Sequence, residues 1–348
     1  MENFNSDKDL IGKIKAIKQD LGKKLIILTH HYQRKEIVDL GDLRGDSFEL
    51  SRKAANDKEA QFIVFCGVHF MVESAAILAK PHQTVQIPDM NAGCWMSDMA
   101  DTYLVERAWD EVAAIVGENH ITPLVYMNSE AAIKAHCGRH NGAVCTSSNA
   151  ARAFEWAFKQ RDKIFFFPDE HLGRNTGNSL GIPVDRMLVY DPEKPLGGHS
   201  EEAIRKARVF LWKGYCLVHT RFTVDDISAM KKNYPDANIV VHPECTAEVV
   251  KASDAVGSTS FIVKYAADAP MGSTVIIGTE INLIKRLALE YPDKKILALK
   301  DSFCPNMFKI NLKNLLSCLE NIGKTNIVKV DEAIKKEALI ALENMLNL

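Results

Sequence analysis

The sequence predicts an α/β protein built on parallel sheets. Three observations carry that expectation. Short apolar runs of five to seven residues alternate with helical stretches along the 348 residues. The runs are almost continuously hydrophobic, as parallel strands covered on both faces are. One strand-to-helix grammar also recurs three times.

In chain order, the first helix starts after Ser6 as N-cap, carries Leu10, Ile11, Ile14 and Ile17 on one face, and stops at Gly22. Strands are expected at Lys24–Thr29, Gln61–Gly67, Thr122–Met127, Lys163–Phe167, Tyr215–His219, Asn238–His242, Thr274–Gly278 and Lys295–Leu299. The recurring pattern is Phe65–Lys80, Val125–Ala135 and Val240–Ala252, each an apolar run ending in polar residues before a helix of small residues. Two copies continue in parallel, through Ala143–Asn149 and Val256–Ser260, so three related α/β units fit the length better than two. Gly173–Ser200, rich in Gly, Pro and Asn, reads as a surface excursion or an active-site cover. Val330–Leu348 is amphipathic and is expected to dock as a helix on the body.

Composition narrows the function classes. A formal net charge of −2, with 47% hydrophobic and 25% charged residues, argues against a disordered chain and against a basic nucleic-acid binder. No apolar run approaches the length of a spanning helix, and the N-terminal stretch lacks the basic start and apolar core of a signal peptide, so neither membrane nor secretion is expected. Eight scattered cysteines suit a reducing cytoplasm, where thiols remain available as ligands or nucleophiles.

Ligands of open α/β sheets bind beyond the carboxyl ends of the strands. Those ends are polar here: Thr29-His30-His31-Tyr32-Gln33, Tyr126-Met127-Asn128, His219, and His242-Pro243-Glu244-Cys245. One such histidine is ordinarily structural; several favour a shared pocket. Gly45-Asp46-Ser47, Thr146-Ser147-Ser148-Asn149 and Gly257-Ser258-Thr259-Ser260 open helices with hydroxyls and backbone N–H groups suited to carboxylate or phosphate, although N-capping explains any one of them. No Walker loop or Gly-x-Gly-x-x-Gly is present, so small anions are favoured over nucleotides. No Cys-x-x-Cys occurs either. Cys66, Cys137, Cys145 and Cys318 read as core, whereas Cys94, Cys216 and Cys304 stand near loop or strand ends in different thirds of the chain. Spacing alone does not assign them to one centre.

The ordered set His30-His-Tyr-Gln, Gly45-Asp-Ser, Asn128-Ser-Glu, Cys145-Thr-Ser-Ser-Asn, Pro168-Asp-Glu-His-Leu-Gly, Gly214-Tyr-Cys, His242-Pro-Glu-Cys, Val256-Gly-Ser-Thr-Ser and Cys304-Pro-Asn-Met resembles the quinolinate synthase family from His30 to about Met307. The resemblance implies three similar three-layer αβα domains with parallel sheets around a pseudo-threefold axis, with the active site at the centre. The boundaries it suggests are 1–98 with 305–348 packing back on it, 99–213, and 214–304. It implies condensation of iminoaspartate with dihydroxyacetone phosphate to quinolinate, phosphate and water. It also implies one [4Fe–4S] cluster with three cysteine ligands, here Cys94, Cys216 and Cys304, the fourth iron being open to act as a Lewis acid. Tyr32 and Glu244 would be the acid–base residues, with His30 and His242 orienting substrate oxygens. Ser47, Ser147, Ser258 and Thr259 would hold carboxylates and phosphate, Tyr126 and Asn128 would line the pocket, and His219 would lie near the cluster. Glu244, enclosed, could titrate nearer neutrality, in a direction set by its neighbours. An aspartate oxidase is the partner the family implies. The connection from Gly177 to Lys213 is longer than the family pattern suggests.

Two rival readings remain at this point. One is a zinc- or iron-dependent aldolase or hydrolase with His30, His219, His242 and Glu244 as ligands. The other is a non-catalytic iron–sulfur sensor or small-anion binding protein.

Overall fold

The computed structural model describes residues 6–348, without the side chains of Phe48 and Ala55; residues 1–5 of the stretch read for a signal peptide lie outside it. The chain is α/β, as the periodicity predicts, with three sheets whose ladders are all parallel. The strands β1 (Leu25–His30), β2 (Leu43–Gly45), β3 (Phe62–Cys66) and β4 (Thr84–Gln86) form the first, in the order β2-β1-β3-β4. The second comprises β5 (Ile121–Tyr126), β6 (Ala143–Cys145), β7 (Lys163–Phe167), β8 (Met187–Tyr190) and β9 (Val209–Trp212), ordered β6-β5-β7-β9-β8. The third comprises β10 (Asn238–Val241), β11 (Ala255–Val256), β12 (Thr274–Gly278) and β13 (Lys295–Ala298), ordered β11-β10-β12-β13. The same second-first-third-fourth order recurs, which is the recurring sequence pattern seen as topology. β8 is an extra edge strand supplied by the long Gly177–Lys213 connection.

Local signals act as physical chemistry requires. The helix Asp7–Leu21 is closed by a Ser6–Asp9 capping box and ends at Gly22, whose φ of 49° suits glycine. Three other expectations need correction. Tyr215–His219 is not a strand. The tight bond from the Gly214 N–H to the Trp212 carbonyl ends β9, and the His219 and Thr220 N–H groups return to the Cys216 carbonyl. With main-chain bonds satisfied locally, the run has no ladder to join. Gly173–Ser200 is not one loop either: it contains the end of the helix Glu170–Ser179, capped by Asp169, and β8. A Cβ on Gly173 would lie 2.5 Å from Leu211 and 2.6 Å from Phe166, so this glycine serves close helix-on-sheet packing, not a turn. Residues 305–348 also divide.

The described chain falls into two compact units. The first comprises the chain through Cys94, Glu280–Arg286 and Phe303–Val330, around the first sheet. The second comprises Trp95–Thr279, Leu287–Ser302 and Asp331–Leu348, and holds the other two sheets. Only the part through Val330 therefore joins the first sheet. The last helix, Glu332–Asn347, belongs to the second unit, where it buries Ala338, Ala341, Leu342 and Met345 and lies on the helix Ala131–Arg139. Beneath the third sheet, Phe222, Ile227, Ile239, Val241, Val249, Ile276 and Leu299 make one continuous core cluster. Among the described residues no helix is long and apolar enough to cross a membrane.

Candidate active site

Each sheet presents its polar residues at the same two places: after its first strand, and where its short second strand turns into a helix. His30, Tyr126 and His242 follow or end β1, β5 and β10; Ser47, Ser147 and Ser258 follow β2, β6 and β11. Carboxyl strand ends are where open parallel sheets offer unsatisfied N–H groups and converging loops.

In the second unit these residues form a connected, buried set. Glu244 is 2% exposed and carries two charge-assisted bonds: Tyr126 Oη donates to Oε1 at 2.5 Å, and His219 Nδ1 meets Oε2 at 2.8 Å. His219 Nε2 pairs with Thr279 Oγ1 at 3.0 Å. The His219 and His242 rings stack with centroids 4.4 Å apart, and His242 Nε2 reaches Ser147 Oγ at 3.2 Å. Burial alone would raise the Glu244 pKa. The fields of His219 and His242 and the bonds from His219 and Tyr126 outweigh it and hold the carboxyl down at about 2. Glu244 is thus an ionised carboxylate that accepts only, so the His219 proton facing it sits on Nδ1.

Neighbours complete this set. Asn175 donates through Nδ2 to the Pro243 and Cys245 carbonyls, 2.8 Å each, and so fixes the turn that carries Glu244. Burial, then the Glu244 charge, push the Asp169 carboxyl well above the usual carboxylate range; Asp169 also accepts the Leu172 N–H at 2.8 Å. The Sγ of Cys216 and ligand atoms of His219 and Glu244 lie within 4.8 Å of one another. Asn128 is half-buried two residues beyond Tyr126. Ser147 departs from the helix-start expectation: the helix Ala150–Gln160 has no side-chain cap, and Ser147 bonds His242 instead. Ser258 does cap its helix, Thr259–Asp268, accepting the Phe261 N–H. His219 occupies a turn, not a strand end.

In the first unit, His30 is buried at the end of β1 and its Nδ1 accepts the Tyr32 N–H at 3.2 Å; the Tyr32 ring stands edge-on at 4.9 Å. Arg286 donates to His31 Nδ1 at 3.1 Å. Burial, helped by the positive charges of His30, Arg286, Arg44 and Lys53, holds His31 well below the usual histidine range. Ser47 begins the helix Ser47–Asn56, whose cap is Asp46. Cys304 is the N-cap of the short helix Pro305–Lys309, and Lys309 Nζ donates to the Asn91 carbonyl at 2.6 Å, tying that helix to the loop before Cys94.

The eight cysteines sort by exposure. Cys66, Cys137, Cys145, Cys245 and Cys318 are buried, and burial pushes their thiols up, Cys318 to about 12. Cys94, Cys216 and Cys304 are the three that are only partly buried. Metal ligation needs the thiolate, which deep burial disfavours, so these three are the thiols whose surroundings leave them able to ligate. A single metal on Cys216, His219 and Glu244 fits less well, because the imidazole and carboxylate are already bonded to each other.

Sequence reasoning missed Thr279, Glu280, Asn175, Asp169 and Arg286. Thr279 and Glu280 directly follow β12, so the strand-end rule applied to that strand would have found them. Asp169 lay inside the Pro168-Asp-Glu-His motif without a role. Asn175 and Arg286 sit inside helices and carry no local signal.

The family model described as quinolinate synthetase A protein matches residues 12–347. Quinolinate synthases of Bacillus anthracis (strain CDC 684 / NRRL 3495) and Bacillus cereus (strain AH187) are each 48% identical over 346 residues, covering 98% of this chain and 94% of theirs. With a match of that extent laid over three parallel sheets with polar strand ends, the chain belongs to the quinolinate synthetase A family.

Proposed function

We propose that the chain condenses iminoaspartate with dihydroxyacetone phosphate to quinolinate, releasing one phosphate and two waters, with Cys94, Cys216 and Cys304 as ligands of one [4Fe–4S] cluster. Family membership makes it an enzyme of quinolinate synthesis, in NAD biosynthesis. The observation that carries the finer reading is the buried Tyr126–Glu244–His219–Thr279 chain beside the Cys216 thiol. When bound, a cluster with three thiolate ligands supplies a Lewis-acidic iron with an open position.

The chain's own residues do the rest. Glu244, ionised and held at both oxygens, is the proton acceptor; its conjugate acid can return a proton through Tyr126 or His219. Tyr32 is the second acid–base group. His30 and His242 orient substrate oxygens, with Asn128 and Tyr126 lining the pocket. Ser47, Ser147, Ser258 and Thr259, at helix starts or strand ends, hold carboxylates and phosphate. A reducing compartment, the cytoplasm, keeps the thiols available, and an aspartate oxidase is the supplier of iminoaspartate.

Anaerobic purification followed by iron, sulfide and zinc analysis and a quinolinate assay tests this. About four irons and four sulfides per chain, with quinolinate formed, is the expected result. A protein that stays metal-free after anaerobic reconstitution, or that holds zinc in place of iron, overturns it.

A further inference from the structure

Glu280 and Asn282 lie just after β12, outside the residues given roles above. Glu280 is wholly buried. Its Oε2 accepts the Asn282 backbone N–H at 2.7 Å and its Oε1 the Asn282 side-chain amide at 3.2 Å. The backbone N–H groups of Leu283 and Cys304 donate to the same carboxylate. Asn282 Nδ2 also donates to the Tyr32 carbonyl at 3.1 Å. All these residues belong to the first unit.

Helix capping accounts for part of this, since Asn282 and Leu283 open the helix Ile281–Glu290. A cap requires neither the Cys304 N–H nor the bond to Tyr32. The buried Glu280 carboxylate reaches Cys304 and the Asn282 amide reaches Tyr32, so the pair gathers three stretches of chain at one point.

We propose that Glu280 and Asn282 are a positioning pair: Glu280 fixes the backbone of Cys304, and Asn282 fixes the backbone of Tyr32. The pair thereby sets a thiolate and a phenol from one anchor. This rests on the reading above, in which Cys304 binds the cluster and Tyr32 acts on substrate.

The two arms separate experimentally. Asn282→Ala in the reconstituted holoenzyme keeps wild-type iron content while kcat falls about tenfold to a hundredfold, the range typical of lost supporting bonds. Glu280→Gln is read first in the metal-free full chain, by mass-spectrometric mapping of iodoacetamide labelling. Cys304 labels faster than in wild type while Cys94 does not, and the reconstituted variant loses iron to a chelator sooner. Glu280→Asp, which keeps the charge and shortens the reach, gives the same labelling change if Glu280→Gln does not fold. Wild-type kcat in Asn282→Ala overturns the Tyr32 arm. Wild-type Cys304 labelling and iron retention in the Glu280 variants overturn the other. If wild-type protein itself neither holds iron nor forms quinolinate, the functional reading fails, and the Cys304 labelling comparison still decides whether Glu280 fixes that backbone.

Discussion

Glu244 shows how a buried carboxylate is kept charged. Burial favours the neutral acid, and without partners the group would take up a proton. Two histidines and a tyrosine hydroxyl reverse that balance, and Asp169, lacking comparable donors, goes the other way. Two nearby carboxyls are therefore shifted in opposite directions because their donors differ. Sequence reasoning pointed to Glu244 but left the direction of its shift open; that direction depends on His219 and Tyr126, 25 and 118 residues away. Removing the charge at constant size is the direct check. Glu244→Gln should lower kcat by about 10²- to 10⁴-fold, the usual share of a general acid–base group, with iron content unchanged. Loss of iron in parallel would instead make Glu244 a support for the metal centre.

At the scale of elements, the contact between Ala131–Arg139 and Glu332–Asn347 depends on one missing side chain. A Cβ on Gly138 would lie 2.0 Å from the Glu337 carbonyl oxygen, so the two helix backbones meet where only hydrogen fits. Arg139 adds ion pairs to Glu337 and Glu106, both largely solvated and worth little. Gly138→Ala should destabilise the protein by about 1–3 kcal/mol through overpacking, despite alanine's better helix propensity. The urea midpoint reports this, and an unchanged or raised midpoint would mean the helices can part at no cost. The amphipathic pattern of Val330–Leu348 announced a docking helix. Its partner was beyond reach, because an apolar stripe says that a face is covered and not by what.

Across the whole molecule, two properties follow from sorting buried from half-buried groups. Substituting Ser for Cys94, Cys216 or Cys304 singly should abolish quinolinate formation and lower iron content, whereas Ala for Cys66 or Cys318 should leave iron per chain at the wild-type level. Iron lost equally from both sets would remove the distinction. The second property is acid sensitivity. His136 is buried among Trp109, His140 and Phe167, and neither ring nitrogen has a hydrogen-bond partner. Burial, then the charges of His140 and Arg139, lower its pKa to about 3. The unfolded chain binds this proton near pH 6.5 and the folded chain does not, so the stabilisation from keeping His136 neutral is present in full above about pH 6.5 and is lost as pH falls towards 3. At pH 5 the loss is about 2 kcal/mol. His136→Phe should flatten the fall in urea midpoint between pH 7.5 and pH 5; His31 adds a fall of the same sign that remains. An unaltered pH profile in that variant would show that His136 is already solvated in the folded protein.

Local patterns in the sequence determined the α/β class, the recurring strand-to-helix unit, the Ser6 cap, and the candidate residues at strand ends, because each is written in neighbouring residues or in short periods. The family resemblance added the reaction and the three cysteines. Only the tertiary structure decided that Tyr215–His219 is turns, that the Gly177–Lys213 connection supplies an edge strand, that the last helix joins the second unit, and that Tyr126 and His219 hold the Glu244 carboxyl down. These depend on which distant groups meet: a main-chain donor chooses its acceptor, a carboxylate its donors and a helix its partner only once the chain is folded. The Glu280–Asn282 pair belongs with them, since its bonds to Cys304 and Tyr32 reach segments that are distant in sequence and adjacent only in the fold.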